Sequence, residues 1–189
     1  MHPDELRAQL EALHTESFGW ALACSDGDRS RAESVLQRSY LKVLEGRGQW
    51  EGRSSFKTWF FGVVRHTAAE ERRRWIWRKL RLVPADAAES AERSSRESSL
   101  RNPLRNPAED TLFESELREQ FRRMLGELPR RQREVLHLVF YQELTIEEAA
   151  AAMAVGLGSA RTHYERGKKK LREMLEKEQV VAEARRARA

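Results

Sequence analysis

The segment from Leu128 to Leu175, LPRRQREVLHLVFYQELTIEEAAAAMAVGLGSARTHYERGKKKLREML, leaves few options for the chain that contains it. Pro129 suits the first turn of a helix, where its missing N–H costs nothing. Val135, Leu136, Val139 and Phe140 are expected to be that helix's buried side. Thr145 and Glu148 have capping-box spacing, so a short helix starts there, with Ile146, Ala149, Ala150 and Met153 turned inward. Gly156 marks a turn. From Leu157 a long helix follows, with Leu157, Ala160, Tyr164, Gly167, Leu171 and Met174 three and four residues apart on its inward face. A capped short helix, a glycine turn and a long basic helix together predict a helix-turn-helix whose second helix is the reading helix.

The outer face of that helix carries Arg161, Thr162, Glu165, Arg166 and Lys169. Major-groove readout needs these chemistries: Arg bonds guanine O6 and N7 together, Thr bonds a base edge or touches a thymine methyl, and Glu accepts from cytosine N4. Ser159 and the N–H groups at the helix start can hold a phosphate. Lys168, Lys169, Lys170 and Arg172 are placed to neutralise phosphates. A charged outer face is also what any solvated helix shows; the capped helix and turn just before it favour DNA.

Net charge +5 in 189 residues is a weak pointer to a polyanion, but its distribution is informative. Arg65 to Arg81 holds seven Arg or Lys against two Glu, and Gly158 to Arg172 holds six against one. Two separate basic blocks suggest two contacts with one long polyanion. Cys24, the single cysteine, lies in an apolar stretch and is expected in the core. His2, His14, His66, His137 and His163 lack metal-ligand spacing, so no metal or cofactor is expected. The sequence holds neither a membrane-spanning apolar run nor a signal-peptide pattern, which predicts a cytoplasmic protein without membrane insertion. A nucleophile–base pair and a phosphate-cradling loop are also missing, which argues against an enzyme.

Helical periodicity dominates and strand signals are nearly absent, so the expected class is all-α. A first helix is expected over Pro3–Cys24, with Leu6, Leu10, Leu13 and Trp20 inward. Asp28 caps a second over Arg29–Glu45, with Ala32, Leu36, Tyr40 and Val43 buried and Val35 and Leu44 at the edges. Gly46, Gly48 and Gly52 open a loop around Trp50. Ser54 or Ser55 caps a third helix from Phe56 to about Arg74, with Phe56, Phe60, Val63 or Val64, and Thr67 inward. Residues 82–110 are rich in Ser, Ala, Glu and Arg, and read as a flexible linker. Thr111 and Glu114 then cap a helix bearing Phe113, Leu117, Phe121, Met124 and Leu128. The expectation is two small helical domains, 1–81 and 111–189, joined by a flexible linker, the second being the helix-turn-helix.

Two upstream stretches carry a resemblance. Arg31-Ala32-Glu33-Ser34-Val35-Leu36-Gln37 through Leu44 resembles the polymerase-binding helix of bacterial RNA polymerase sigma factors. Ser55-Phe56-Lys57-Thr58-Trp59-Phe60-Phe61-Gly62-Val63-Val64-Arg65-His66, ending in Arg72-Arg73-Arg74, resembles their promoter-melting helix. The helix-turn-helix is similar to their C-terminal promoter-binding domain. With only these two domains and a linker, the chain resembles the extracytoplasmic-function (ECF) subfamily of the sigma-70 family.

The resemblance implies a job. Glu33, Gln37, Arg38 and Leu41 would bind core RNA polymerase. Trp50, Trp59, Phe61, Arg65, His66, Arg72 and Arg73 would meet the opened minus-ten element, where the family usually has Asn at the position of His66. Opening a duplex needs a pocket for an unstacked base and a basic track for the strand. Ser159, Arg161, Thr162, Glu165, Arg166 and Lys169 would contact the minus-thirty-five element. It also implies an anti-sigma partner. The rival readings are a stand-alone helix-turn-helix transcription regulator and a site-specific recombinase; the all-helical first half argues against the recombinase.

Overall fold

The computed structural model describes residues 2–82 and 123–186, with side chains for 2–80 and 123–177. Among them there is no strand. The helices are α1 (Pro3–Ala12), α2 (His14–Cys24), α3 (Arg29–Leu44), α4 (Phe56–Leu82), α5 (Arg130–Phe140), α6 (Ile146–Ala152) and α7 (Leu157–Arg186), with a further helical segment over 123–127. The fold is therefore all-α. It divides into two compact units, the first holding α1–α4 and the second holding α5, most of α6 and α7. The expected linker, apart from residue 82 at the end of α4, lies outside the described residues. So do the Thr111–Glu114 cap, Phe113, Leu117 and Phe121.

In the first unit α2, α3 and α4 pack pairwise. Their shared core contains Trp20, Ala32, Val35, Leu36, Phe60 and Val64, each 3% exposed or less. Trp20 Nε1 donates to the carbonyl of Phe61 at 2.9 Å, which satisfies the one polar atom of a fully buried indole. Tyr40 stacks on Phe60 at 5.5 Å and its hydroxyl meets His14 Nδ1 at 2.9 Å. Burial pushes the Tyr40 hydroxyl up to about 12. Asp28 caps α3 through the N–H of Arg31 at 3.0 Å, and Ser55 caps α4 through the N–H of Thr58 at 3.1 Å. Cys24 is buried.

Three expectations change here, while Leu44 stays at the edge of its stripe. The first helix is two, because Leu13 leaves helical geometry (φ −92°, ψ 4°) and bends the chain with no Gly or Pro to announce it. Val35 is 1% exposed rather than at an edge, because α3 is packed by both α2 and α4. Leu44 faces solvent at 49%. α4 continues to Leu82, since no glycine or proline interrupts it after Gly62.

In the second unit, Leu125, Leu128 and Leu136 form a cluster completed by Tyr164 and Met174 of α7. A β-carbon on Gly167 would lie 2.9 Å from Leu136 Cδ1 and 3.3 Å from Gln132 Cβ, so glycine is what lets α5 and α7 approach. Pro129 is the N-cap residue of α5 rather than part of its first turn. Leu138 and Glu134 are buried in place of Phe140, which is half exposed and stacks on Tyr164 at 6.0 Å. Buried Glu134 is paired with Arg130 at 2.7 Å and Arg131 at 3.5 Å, as a buried carboxylate must be.

The capping box is reciprocal: Thr145 N–H donates to Glu148 Oε2 at 2.9 Å, and Glu148 N–H donates to Thr145 Oγ1 at 3.2 Å. The left-handed residue of the following turn is Ala154 (φ 49°), not Gly156. Val155 N–H bonds Ala150 O and Ala154 N–H bonds Ala151 O, both at 3.0 Å, which is the Schellman closure of α6.

Burial lowers the His137 pKa to about 4. The folded value lies below the ordinary 6.5, so the unfolded chain binds the proton more readily. Stability from this group is complete above 6.5 and falls as pH drops toward 4. A loss of about 1.4 kcal/mol is expected between pH 7.5 and 5.5. Urea titrations of the wild-type chain and of His137→Gln would check it. An unchanged slope in the variant would place the linkage on another group.

Candidate nucleic-acid interface

α3 buries one side and presents the other. Glu33, Gln37, Arg38 and Leu41 are all exposed, and Leu44 extends the line, four, four and three residues apart from Glu33 through Gln37 and Leu41. Leu41 and Leu44 are 55% and 49% exposed, an apolar strip beside polar groups. Sequence reasoning left Leu44 out, because an apolar residue on a helix edge reads first as core. Arg38 is engaged with α4 through Glu71, which also takes Arg74 at 3.2 Å. Arg31 stands 4.9 Å over the Trp75 ring.

The loop after α3 shapes a pocket of about 520 Å³. Gly46 (φ 71°) is the left-handed residue that closes α3, with its N–H on Val43 O and the Arg47 N–H on Lys42 O. Gly52 (φ 74°) makes the second reversal. Between them Trp50 folds back: its Nε1 donates to Ser54 O at 2.9 Å and its ring meets Phe56 edge-on at 5.9 Å. Trp50 and Trp59 line the pocket with Gln49 and Val43, and Leu6 and Arg7 of α1 complete it. The α1 contribution was not legible from sequence, since nothing local ties Arg7 to a loop forty residues on.

Along α4 the expected minus-ten residues separate. Arg72, Arg73 and His66 are exposed, and Arg65 and Trp59 are half-buried. Phe61 is a correction: its side chain is fully buried in the core beside Trp20, at a ring distance of 6.2 Å, and cannot meet a base in this fold. His66 Nδ1 lies 3.1 Å from Glu70, which is also bonded by Lys42 of α3 at 2.8 Å. Burial alone would raise the Glu70 pKa. The Lys42 hydrogen bond and the charges of Lys42, His66 and Arg74 outweigh it and hold the carboxyl below its usual range.

On α7, Ser159, Arg161, Thr162, Glu165, Arg166 and Lys169 are all exposed, while Ala160, Gly167 and Leu171 are buried. Thr162 bonds back to Gly158 O at 2.9 Å. Arg161 is held 3.2 Å from Glu147 of α6, and Lys168 is 3.2 Å from Glu165. A basic face with one acid, presented by a helix that follows a tight turn, is suited to the major groove.

Residues 118–171 match the family model described as Sigma-70, region 4. The ECF RNA polymerase sigma factor SigX of Bacillus subtilis (strain 168) is 30% identical over 155 residues, covering 79% of this chain and 73% of that protein. The chain belongs to the ECF RNA polymerase sigma factor family. A second relative, the ECF RNA polymerase sigma factor EcfG of Rhodopseudomonas palustris (strain TIE-1), is 26% identical over 172 residues, covering 91% of this sigma factor and 86% of its own length. Solved structures share the fold. The sigma factor RpoE of Bartonella quintana, crystallised with the anti-sigma factor NepR, has a TM-score of 0.66 at 18% identity, over 91% of this chain and 97% of its own. CnrH, in complex with the cytosolic domain of CnrY, has a TM-score of 0.55 at 19% identity, over 89% and 86%. This ECF sigma factor is accordingly a DNA-binding factor in transcription initiation, and the stand-alone regulator is not favoured. None of its described helices is long and apolar enough to cross a membrane.

Proposed function

We propose that this sigma factor binds core RNA polymerase through the exposed strip of α3 and carries it to promoters read at two places. Glu33, Gln37, Leu41 and Leu44 form the polymerase contact, and Arg38 holds α3 against α4 through Glu71. The Trp50–Trp59 pocket receives an unstacked minus-ten base, with Arg65, His66, Arg72 and Arg73 along the strand. α7 reads the minus-thirty-five element through Arg161, Thr162, Glu165 and Arg166, while Ser159 and Lys169 hold phosphates. The chain supplies recognition and the polymerase supplies the chemistry, in the cytoplasm. An anti-sigma factor is its expected inhibitor, by analogy with the relative crystallised with one.

The observation that supports the residue roles best is the pocket beside α3. A half-open pocket of about 520 Å³ with Trp50 and Trp59 in its lining, on the unit that lacks the helix-turn-helix, has room for an unstacked base, which a regulator that only binds duplex does not require. The test is capture of bacterial core polymerase by the tagged chain, followed by transcription from a promoter library. Capture with promoter-dependent transcripts is expected. Tight specific DNA binding by the free chain without capture would instead favour the stand-alone regulator.

A further inference from the structure

We propose that Trp77, at the far end of α4, is a second nucleic-acid contact that stacks on a base flanking the minus-ten element. The proposal rests on the reading of α4 as the helix that meets the opened minus-ten strand.

Helix geometry sorts the two tryptophans of the Trp75-Ile76-Trp77 run. At about 100° per residue, positions seven and eleven beyond His66 return to within about 20° of it. Arg73 and Trp77 occupy those positions, and Trp59, seven before His66, falls on the same side. One face of α4 thus runs Trp59, His66, Arg73, Trp77. Trp75 points the opposite way, where Arg31 of α3 sits 4.9 Å over its ring and Lys79 lies 5.0 Å from it. It is engaged within the unit. Trp77 is 65% exposed, on the same face as His66 and Arg73, two of the residues proposed to follow the strand.

The surroundings select the partner. From Arg72 to Lys79 there are five Arg or Lys and no acid, so the end of α4 is complementary to a polyanion. Aromatic rings interleaved with cations are the chemistry of base stacking beside phosphates. Eleven residues of helix carry Trp77 about 16 Å beyond His66, too far to share the minus-ten pocket and near enough to take a base a few nucleotides away. That base is either unpaired or the last of the flanking duplex; the chemistry offered, an open π-face flanked by phosphates, is the same.

The test uses holoenzyme assembled from the full chain and bacterial core polymerase. Labelled promoter fragments carry one minus-ten element, as single strands and as forks, lengthened one nucleotide at a time on each side. Trp77→Ala is expected to bind the shortest fragments normally and, once a fragment reaches the end of α4, to bind on the order of 10-fold more weakly than wild type. Trp77→Phe, which keeps a ring, should recover most of that loss. A deficit on single strands identifies an unpaired base; a deficit confined to forks identifies the duplex end. Either supports the contact. Equal affinity of Trp77→Ala and wild type at every length, with His66→Ala weakened throughout, would overturn the proposal and leave the reading of α4 standing. Weaker capture of core polymerase by Trp77→Ala without DNA would overturn it in favour of a polymerase contact. If His66→Ala and Trp77→Ala were both silent on all fragments, the reading of α4 itself would fall.

Discussion

Phe61→Ala is expected to destabilise the first unit by about 3–5 kcal/mol, the range for deleting a fully buried Phe, which is a large part of the total stability of a small domain. The ring is 0% exposed and packs beside Trp20. Truncation leaves a cavity in the middle of the three-helix core. It also loosens the backbone carbonyl that satisfies the Trp20 indole N–H. Helical content should melt many degrees below wild type, and the loss should appear in the free chain without polymerase or DNA. Phe61→Leu, which keeps most of the volume, should recover most of the stability. A Phe61→Ala chain that melts like wild type and fails only in promoter opening would put the ring back at the DNA.

That reassignment shows what the sequence could and could not tell. Caps were legible, because their chemistry is local: Asp28, Ser55 and the Thr145–Glu148 box each act within three residues. The α7 stripe was legible too, because one side of that helix is packed and the other is bare. α3 and α4 were harder. Each is packed by two neighbours, so the buried arc widens past a single stripe, and Val35 and Phe61 fall inside it. Phe61 follows Phe60 directly, and periodicity for one stripe can claim only one of the pair. Ala154 in a left-handed turn broke the rule that glycine marks such positions, since the Schellman bonds of α6 hold it there. The pocket was half legible. The glycines around Trp50 announced an irregular loop, whereas Leu6 and Arg7 reach it only through tertiary packing.

Arg161→Ala on α7 is expected to lower affinity for the upstream element by about 1–3 kcal/mol and to relax preference at one base position, the cost of losing a bidentate base contact. In the free chain Arg161 is 60% exposed and shares its charge with Glu147 at 3.2 Å across the turn. That pair is worth little in water, so exchanging it for a guanine edge in the groove is favourable, and Glu147 keeps the guanidinium near the helix start until then. Lys169, two turns on and exposed, should behave differently. Lys169→Ala should weaken binding by a similar factor on every sequence and lower the slope of log affinity against log salt by about one phosphate contact. Measuring both variants on a library randomised at the upstream element, at two salt concentrations, separates base readout from phosphate contact. Loss of selectivity with an unchanged salt slope assigns Arg161 to a base. A loss at Arg161 that is uniform across sequences and salt-dependent, like that at Lys169, would move readout elsewhere on the exposed face, to Thr162, Glu165 or Arg166.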